Sequence, residues 1–378
     1  MGNRRDDGGE RTGTLGGGAL SVGDREAMER AIALAWGGWG RVGRNPLVGA
    51  VVLSGGTVVG EGFHAEFGGA HGEVAALAAA GGRARGADLV VSLEPCAHHG
   101  KTPPCTEAIV AAGIARVVFG AHDGDPVARG GADALRRAGV AVEGGLLETA
   151  VRAQNALFFH RFDGRGRPFV ALKLAMTLDA RIADREGRSR WVSGPEAREF
   201  VQWLRAGFDA IAVGLGTVRA DDPRLTVRGA VVPAKPPRRV VLDRRAELPL
   251  DAAVVRTARE TPTLALVGRG ARPEACAALR AAGVEVATAD DAGEALAMLA
   301  DQDVSTLLIE GGGGVAGRML KEDLVDRLYL VVAPLWLGEG GVSAFAGLPG
   351  TTIEHAVRWR TVQRRPLGDD TLLVMDRR

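Results

Sequence analysis

Four side chains constrain this chain more than anything else in it: His71 and Glu73, two residues apart, then Cys96 and Cys105 on either side of a short loop. One imidazole and two thiols are enough protein ligands for one catalytic zinc ion, which keeps its fourth position for water. Glu73 is then the acid left over, suited to take a proton from the attacking water and return one to a leaving amine. His71 precedes an apolar run at 74–80 that reads as a helix, and Cys96 follows residues 88–93, which read as a buried strand. Cys105 follows Pro103-Pro104 and opens a helical run through 107–112. Proline is tolerated in a first helical turn, and Thr102 is a candidate cap. A helix N-terminus also favours thiolate, the form that zinc binds.

Two other readings of these residues stay open. The cysteines could be buried packing residues. A structural zinc is the second alternative, with His98 or His99 as its fourth ligand. The order H-x-E followed by P-C is that of zinc nucleobase deaminases and favours the catalytic reading, although the gap between the thiols is longer than C-x-x-C.

The 378 residues suffice for two ordinary domains. With 25% charged residues and a net charge of +1, neither nucleic acid nor an anionic membrane is expected as a partner. No apolar run reaches the ~18 residues of a spanning helix, and the N-terminus lacks the apolar segment of a secretory signal. A cytoplasmic setting is therefore expected. Residues 1–22, rich in Gly, Arg and Asp, read as a disordered extension. Cys276 is left over, in a helical run at 274–282, as a packing residue.

Along the chain, 24–36 reads as a helix with Asp24 as its cap, and 48–53 and 57–60 as a hairpin about Ser54-Gly55-Gly56. Helices and strands then alternate through a strand at 140–143, which argues for an α/β layered domain. Residues 146–159 read as one helix. Asp163-Gly164-Arg165-Gly166-Arg167-Pro168 breaks the pattern, so domains are expected at 23–163 and 164–378. The second half reads as strands at 169–174, 210–213, 239–243, 263–267, 305–310, 327–333 and 371–375, with a helix at 195–206. Arginine is abundant, and the lysines are Lys101, Lys173, Lys235 and Lys321, so Lys173 inside an apolar strand is not there by habit. Its bland reading is a lysine snorkelling from a strand end.

Residues 305–310, the glycines from Gly311 to Gly314 and Gly317, and a helical run through Leu320 form a strand–glycine–helix sequence. Such a sequence lets backbone amides approach a phosphate. It comes late for an ordinary Rossmann domain, with about two strands expected after it.

The motifs Asn45-Pro46-Leu47-Val48-Gly49, His64, His71-Gly72-Glu73-Val74 and Glu94-Pro95-Cys96-Ala97-His98-His99-Gly100-Lys101-Thr102-Pro103-Pro104-Cys105 resemble those of the bifunctional deaminase/reductase family of riboflavin biosynthesis. The second half agrees through Ser189-Arg190-Trp191, Arg205, Gly214-Leu215-Gly216-Thr217-Val218 and Asp221-Asp222-Pro223-Arg224-Leu225-Thr226-Val227-Arg228. The resemblance implies a cytidine-deaminase-like α/β/α domain followed by a dihydrofolate-reductase-like α/β domain. It also implies two activities. One is zinc-dependent deamination of a diaminopyrimidinone ribosyl phosphate. The other is NADPH-dependent reduction of the ribosyl group to ribityl.

By that resemblance Asn45 and His64 touch the pyrimidine or position its loop. Ala175, Trp191, Thr217, Asp221 and the loop Gly312, Gly313, Gly314, Val315, Ala316, Gly317 and Arg318 hold NADPH. Ser189, Arg205, Leu225, Arg228 and Glu310 hold the phosphorylated substrate, with Lys173 as a cation near the hydride acceptor. Arg205 and Arg228 suit a phosphate through forked hydrogen bonds. The family implies small-molecule substrates and a homo-oligomer. Three departures stand out: Ala70 for Pro, Gly72 for Ala at the helix entry, where Gly costs ~1 kcal/mol in a helix, and Arg244 for Ser against the cofactor. A cation at Arg244 points at a 2′-phosphate. The rival enzyme reading is a deaminase of free bases or nucleosides with an inactive second half. The non-enzymatic rival is a structural-zinc scaffold.

Overall fold

The computed structural model describes residues 22–100 and 103–377. The expected cap at Thr102 and the extension at 1–21 lie outside them. The contacts divide the chain into two compact units that interleave in sequence. The first takes the described chain up to Ala35, Val48–Phe63 and His71–Val151; the second takes Trp36–Leu47, His64–Ala70 and Arg152 onward.

In the first unit, helix α1 (Val22–Ala35) precedes strands β1 (Gly49–Ser54) and β2 (Thr57–Phe63). Then follow α2 (Gly72–Ala80), β3 (Asp88–Leu93), α3 (Cys105–Ala112), β4 (Arg116–Ala121), α4 (Gly131–Arg137) and β5 (Ala141–Gly144), and the division falls within α5 (Glu148–Gln154). The sheet order is β2-β1-β3-β4-β5, with β3, β4 and β5 parallel and β1 antiparallel to both its neighbours. Gly55 and Gly56 close the hairpin with φ of 54° and 80°, the left-handed pair that a tight two-residue turn requires. The helix at the start differs from expectation. Asp24 lies inside α1, buried, and its carboxylate accepts two bonds from Arg116, which also pairs with Asp88 and Glu143. It is a core ion pair and not a cap.

The helix expected over 146–159 is broken as well. After α5 the chain restarts as α6 (Ala156–His160), and Asn155 stands between them. The Asn155 side chain accepts from the Leu47 amide at 2.7 Å and donates to the Leu47 carbonyl at 3.0 Å. Both bonds are buried, and an amide bound to a backbone outside the helix stops it locally.

The second unit continues with β6 (Phe169–Thr177), β7 (Arg181–Ala183), α7 (Pro195–Arg205), β8 (Ala210–Gly214), α8 (Leu215–Asp221), β9 (Arg238–Leu242), α9 (Ala253–Arg256) and β10 (Thr263–Val267). It ends with α10 (Pro273–Ala281), β11 (Glu285–Thr288), α11 (Ala292–Asp301), β12 (Thr306–Glu310), α12 (Gly313–Lys321), β13 (Arg327–Ala333), β14 (Val342–Ser343), β15 (Trp359–Leu367) and β16 (Asp370–Arg377). The large sheet runs β11-β10-β9-β8-β12-β6-β13-β16-β15. Alternate strand residues face two cores. Ala210, Ala212, Val240 and Leu264 pack with α11 and α12, while Ile211, Val213, Val241 and Ala265 pack with α8, α9 and α10. Period-2 side chains of a sheet covered on both faces explain the near-continuous apolar runs. More strands follow the glycine loop than the two expected, because β15 carries exposed side chains along most of its length and has no apolar signature. Among the described residues no helix is long and apolar enough to cross a membrane.

Candidate active sites

The first site forms where β3, α2 and α3 end or begin. His71 is the N-cap residue of α2, Glu73 lies in that helix's first turn, Cys105 is the first residue of α3, and Cys96 sits in the loop after β3. The ligand atoms of His71, Cys96 and Cys105 all lie within 4.8 Å of one another. His71 Nδ1 is 3.2 Å from Cys105 Sγ and 3.6 Å from Cys96 Sγ. Donors at the corners of a tetrahedron around zinc stand about 3.5 Å apart, given bonds of ~2.0–2.3 Å. The spacing therefore fits zinc, with Nδ1 as the imidazole's donor atom. The Cys105 hydrogen bond, helped by His71, draws Cys96 down to about 4, and its bond to Cys96 together with burial pushes Cys105 up. The His71 imidazole is raised by its hydrogen bond to Cys96.

Glu73 is 3% exposed, and its Oε2 has no hydrogen-bond partner among the described residues. Burial, with the Cys96 charge behind it, pushes this carboxyl up to about 7. A buried acid with one free oxygen among the described residues, poised near neutrality beside three metal donors, is suited to moving a proton to and from water. The Gly72 departure also finds its reason. A Cβ there would stand 2.8 Å from the Val48 carbonyl oxygen, so the helix start lies closer to the sheet than alanine allows.

The sequence reading assigns no role to two acids on this side of the chain, Glu94 and Asp123. Glu94 is buried, accepts from the Ala132 amide at 3.1 Å and pairs with His122 at 2.8 Å. Asp123 is buried, and burial raises it to about 6, with Asp125, Glu94 and Cys96 adding to the effect. Gly131 packs so close to Pro95 that a Cβ would sit 1.7 Å from its carbonyl oxygen. Two acids flanking a Cys-containing loop were the available signal.

Asn45 and His64 find each other: Asn45 Nδ2 lies 3.1 Å from His64 Nε2, and His64 Nδ1 lies 3.0 Å from the Ala70 carbonyl. One tautomer satisfies both, with Nδ1–H donating and Nε2 accepting. Both residues belong to the second contact unit.

In the second unit the glycine loop runs from β12 into α12, as expected. Its glycines divide by cause. Gly311 and Gly312 have φ of 99° and 35°. Gly313 and Gly317 face backbone, where a Cβ would lie 2.0 Å from the Ser343 oxygen and 2.1 Å from the Ala346 oxygen. A Cβ on Gly314 would meet nothing within 4 Å, so this residue is open to a ligand. Ala316 and Gly317 lie in the core, and Arg318 is committed to Glu322 at 2.9 Å. Thr217 joins the loop, since its hydroxyl stands 2.7 Å from where a Gly311 Cβ would be.

Parallel pairing of β12 with β6 sets Glu310 beside Lys173, two residues before the half-buried Ala175. Arg205 donates to both Glu310 oxygens at 2.8 and 2.7 Å and to the Thr226 carbonyl at 2.9 Å. The two predicted substrate contacts thus hold each other, leaving one hydrogen on each terminal nitrogen of the arginine. Burial alone would raise Glu310, but the Arg205 charge and hydrogen bonds, with the Lys173 charge, together outweigh it and hold the carboxyl low. Burial lowers Lys173. Ser189 Oγ donates to Asp221 at 2.8 Å, Leu225 is buried with φ of 50°, and Arg228 is exposed with its amide bound to Gln202. Trp191 is 69% exposed, with the Arg198 guanidinium 4.5 Å from its ring centre.

Comparison with known proteins bears on both halves. Residues 22–121 match the cytidine and deoxycytidylate deaminase zinc-binding region, and residues 168–373 match the RibD C-terminal domain. The riboflavin biosynthesis protein RibD of Aquifex aeolicus is 38% identical over 94% of this chain and 98% of its own. The chain belongs to the RibD family. The Escherichia coli RibD is 37% identical, covering 93% of this chain and 98% of its own. The Acinetobacter baumannii RibD structure superposes with a TM-score of 0.77 at 34% identity, over 94% of this chain and 99% of its own. The Thermotoga maritima diaminohydroxyphosphoribosylaminopyrimidine deaminase/5-amino-6-(5-phosphoribosylamino)uracil reductase gives 0.78 at 35%, over the same shares. The expected α/β fold class stands, and the chain is a bifunctional RibD-type enzyme of riboflavin biosynthesis, with a zinc-dependent deaminase half and an NADPH-dependent reductase half.

Proposed function

We propose that the first site deaminates the 2-amino group of a diaminopyrimidinone ribosyl phosphate and the second reduces the product's ribosyl group to ribityl. His71 Nδ1, Cys96 Sγ and Cys105 Sγ hold zinc, which when bound supplies the Lewis acidity that lets water lose a proton near neutral pH. Glu73 Oε2 receives that proton and returns one to the departing amine nitrogen. By the family resemblance Asn45 and His64, which bond each other, touch the pyrimidine or position its loop. The observation that carries this reading is the convergence of three metal donors beside a buried acid, one of whose oxygens has no partner among the described residues.

In the reductase half NADPH when bound supplies a hydride for the ribose C1. Ala175, Trp191, Thr217, Asp221 and the loop from Gly312 to Arg318 form its cleft, with Gly312 and Gly314 letting backbone approach its phosphates. Ser189, Leu225, Arg228 and the Arg205–Glu310 pair face the substrate. Lys173, whose proton is held less firmly than a surface lysine's, delivers it to the ring oxygen as the sugar opens. The chain works in the cytoplasm as a homo-oligomer, with its domain boundary near residue 163. A coupled assay tests the whole: the purified chain releases ammonia from the diaminopyrimidinone, and NADPH loss depends on that release. NADPH loss without ammonia, or ammonia without NADPH loss, overturns one half.

A further inference from the structure

The C-terminal ends of β10, β9, β8, β12 and β6 form one rim in that order. By the reading above, the reacting end of NADPH lies at β6 and β12, and its pyrophosphate lies between Gly312–Gly314 and Thr217 at the ends of β12 and β8. Strands stand about 4.8 Å apart. A linear dinucleotide that continues past β8 brings its adenosine ribose to the ends of β9 and β10.

The turn after β9 is built to present something there. The Asp243 carbonyl accepts from Ala246, and its buried carboxylate accepts from the Leu248 amide at 2.7 Å. The Arg244 carbonyl accepts from the Gly268 amide at 3.0 Å, which ties the turn to the end of β10. Arg219 of α8 bonds Glu247 at 3.1 Å, which ties it to the Thr217 helix. The Arg244 stem lies over Gly268, where a Cβ would come 3.2 Å from its Cγ.

The backbone is thus fixed while the Arg244 guanidinium has no acceptor among the described residues. Two other arginines of this rim are committed, Arg219 to Glu247 and Arg269 to Asp290 and Glu294, and the neighbouring exposed Arg245 and Arg272 serve as controls. We propose that Arg244 is the specificity residue that selects NADPH over NADH by pairing with the 2′-phosphate of its adenosine ribose. A guanidinium fork suits a phosphate dianion, whereas the hydroxyl that NADH offers there gives it no charge to pair with.

This inference rests on the cofactor reading of the cleft, and equilibrium binding separates the two. Calorimetry on the full chain, with no turnover, would measure NADPH, NADH, 2′,5′-ADP and 5′-AMP. The expected result is that the 2′-phosphorylated member of each pair binds at least about tenfold tighter, a gap of ~1.4 kcal/mol or more. R244Q closes that gap and leaves NADH within about twofold, and R244K keeps part of it. The salt dependence of NADPH binding falls with R244Q. R245Q and R272Q, which remove neighbouring exposed arginines, keep the gap. An unchanged gap in R244Q, equal weakening of NADPH and NADH, or loss of the gap in R245Q or R272Q overturns the assignment while the cleft stands. A wild-type chain that binds neither dinucleotide overturns the cleft and this inference with it.

Discussion

The two sites of this chain are held together by opposite means. At the metal site the donors lie within 34 positions of one another in sequence, at or near three element ends of one unit, and converge on one point. At the reductase cleft the residues range from Lys173 to Arg318, sit on strands, helices and the loops between them, and include a buried ion pair, Arg205–Glu310. The first arrangement relies on a metal to join charges that are close but unneutralised. The second neutralises its own charges before any ligand arrives. The difference teaches which perturbation each site tolerates: the metal site can lose its acid and keep its shape, whereas the reductase cleft cannot lose half of its pair.

The sharpest test of that contrast is Glu73→Gln. Ammonia release should fall by about 10²–10⁴-fold, while zinc content, measured by elemental analysis, stays at one per chain. NADPH oxidation with the deaminated intermediate should continue at the wild-type rate. Loss of zinc along with activity would make Glu73 a structural residue and break the comparison.

Next in size is Arg205→Met. It strands Glu310 in a buried position, and removing one partner of such a pair destabilises by about 3–5 kcal/mol. The double variant with Glu310→Met should recover most of that loss in urea unfolding, though not the reductase activity. Equal losses in single and double variants would mean that the pair does not organise the cleft.

A third prediction concerns the metal-free chain. Glu73 is raised from 4.5 to about 7 on folding. Between those values the folded chain holds a proton that the unfolded chain has released. Stability therefore drops as pH rises through that window, by roughly 3 kcal/mol from this group. Urea midpoints with chelator present should show the drop in wild type and not in Glu73→Gln. Parallel profiles would mean that the acid is solvated and not poised.

The smallest effect separates two glycines of one loop. Gly317→Ala forces a methyl onto the Ala346 carbonyl and should destabilise by about 1–3 kcal/mol. Gly314→Ala meets open space, so it should leave the melting temperature unchanged and weaken NADPH binding. Equal melting shifts would show that the loop is uniform packing and has no face for a ligand.

The contrast between the sites also governs what could be read in advance. The zinc cluster was legible because each ligand lies next to a strong local signal: an alanine-rich helix, an apolar strand, a proline pair. The buried strands β6, β8, β9, β10, β12 and β13 were legible for the same reason. Asp24 misled because a carboxylate near a helix start has the pattern of a cap, whereas its carboxylate pairs with Arg116, 92 residues away. Asn155 misled because an asparagine is tolerable in a helix until its amide is claimed by Leu47, 108 residues away. The edge strand β15, largely exposed, had no apolar alternation to announce it.

By itself, then, the order of residues determined the chemistry that each half can perform, since ligand types, acid and glycine loop are properties of short segments. Tertiary structure decided everything that depends on a partner far along the chain. Among the described residues it set Arg205 against Glu310, left Glu73 Oε2 without a partner, and kept the Arg244 guanidinium unclaimed. The reason is physical. A side chain's covalent identity fixes what it can donate or accept, but burial and neighbouring charge fix whether that capacity is already used, and both arise only when distant segments pack.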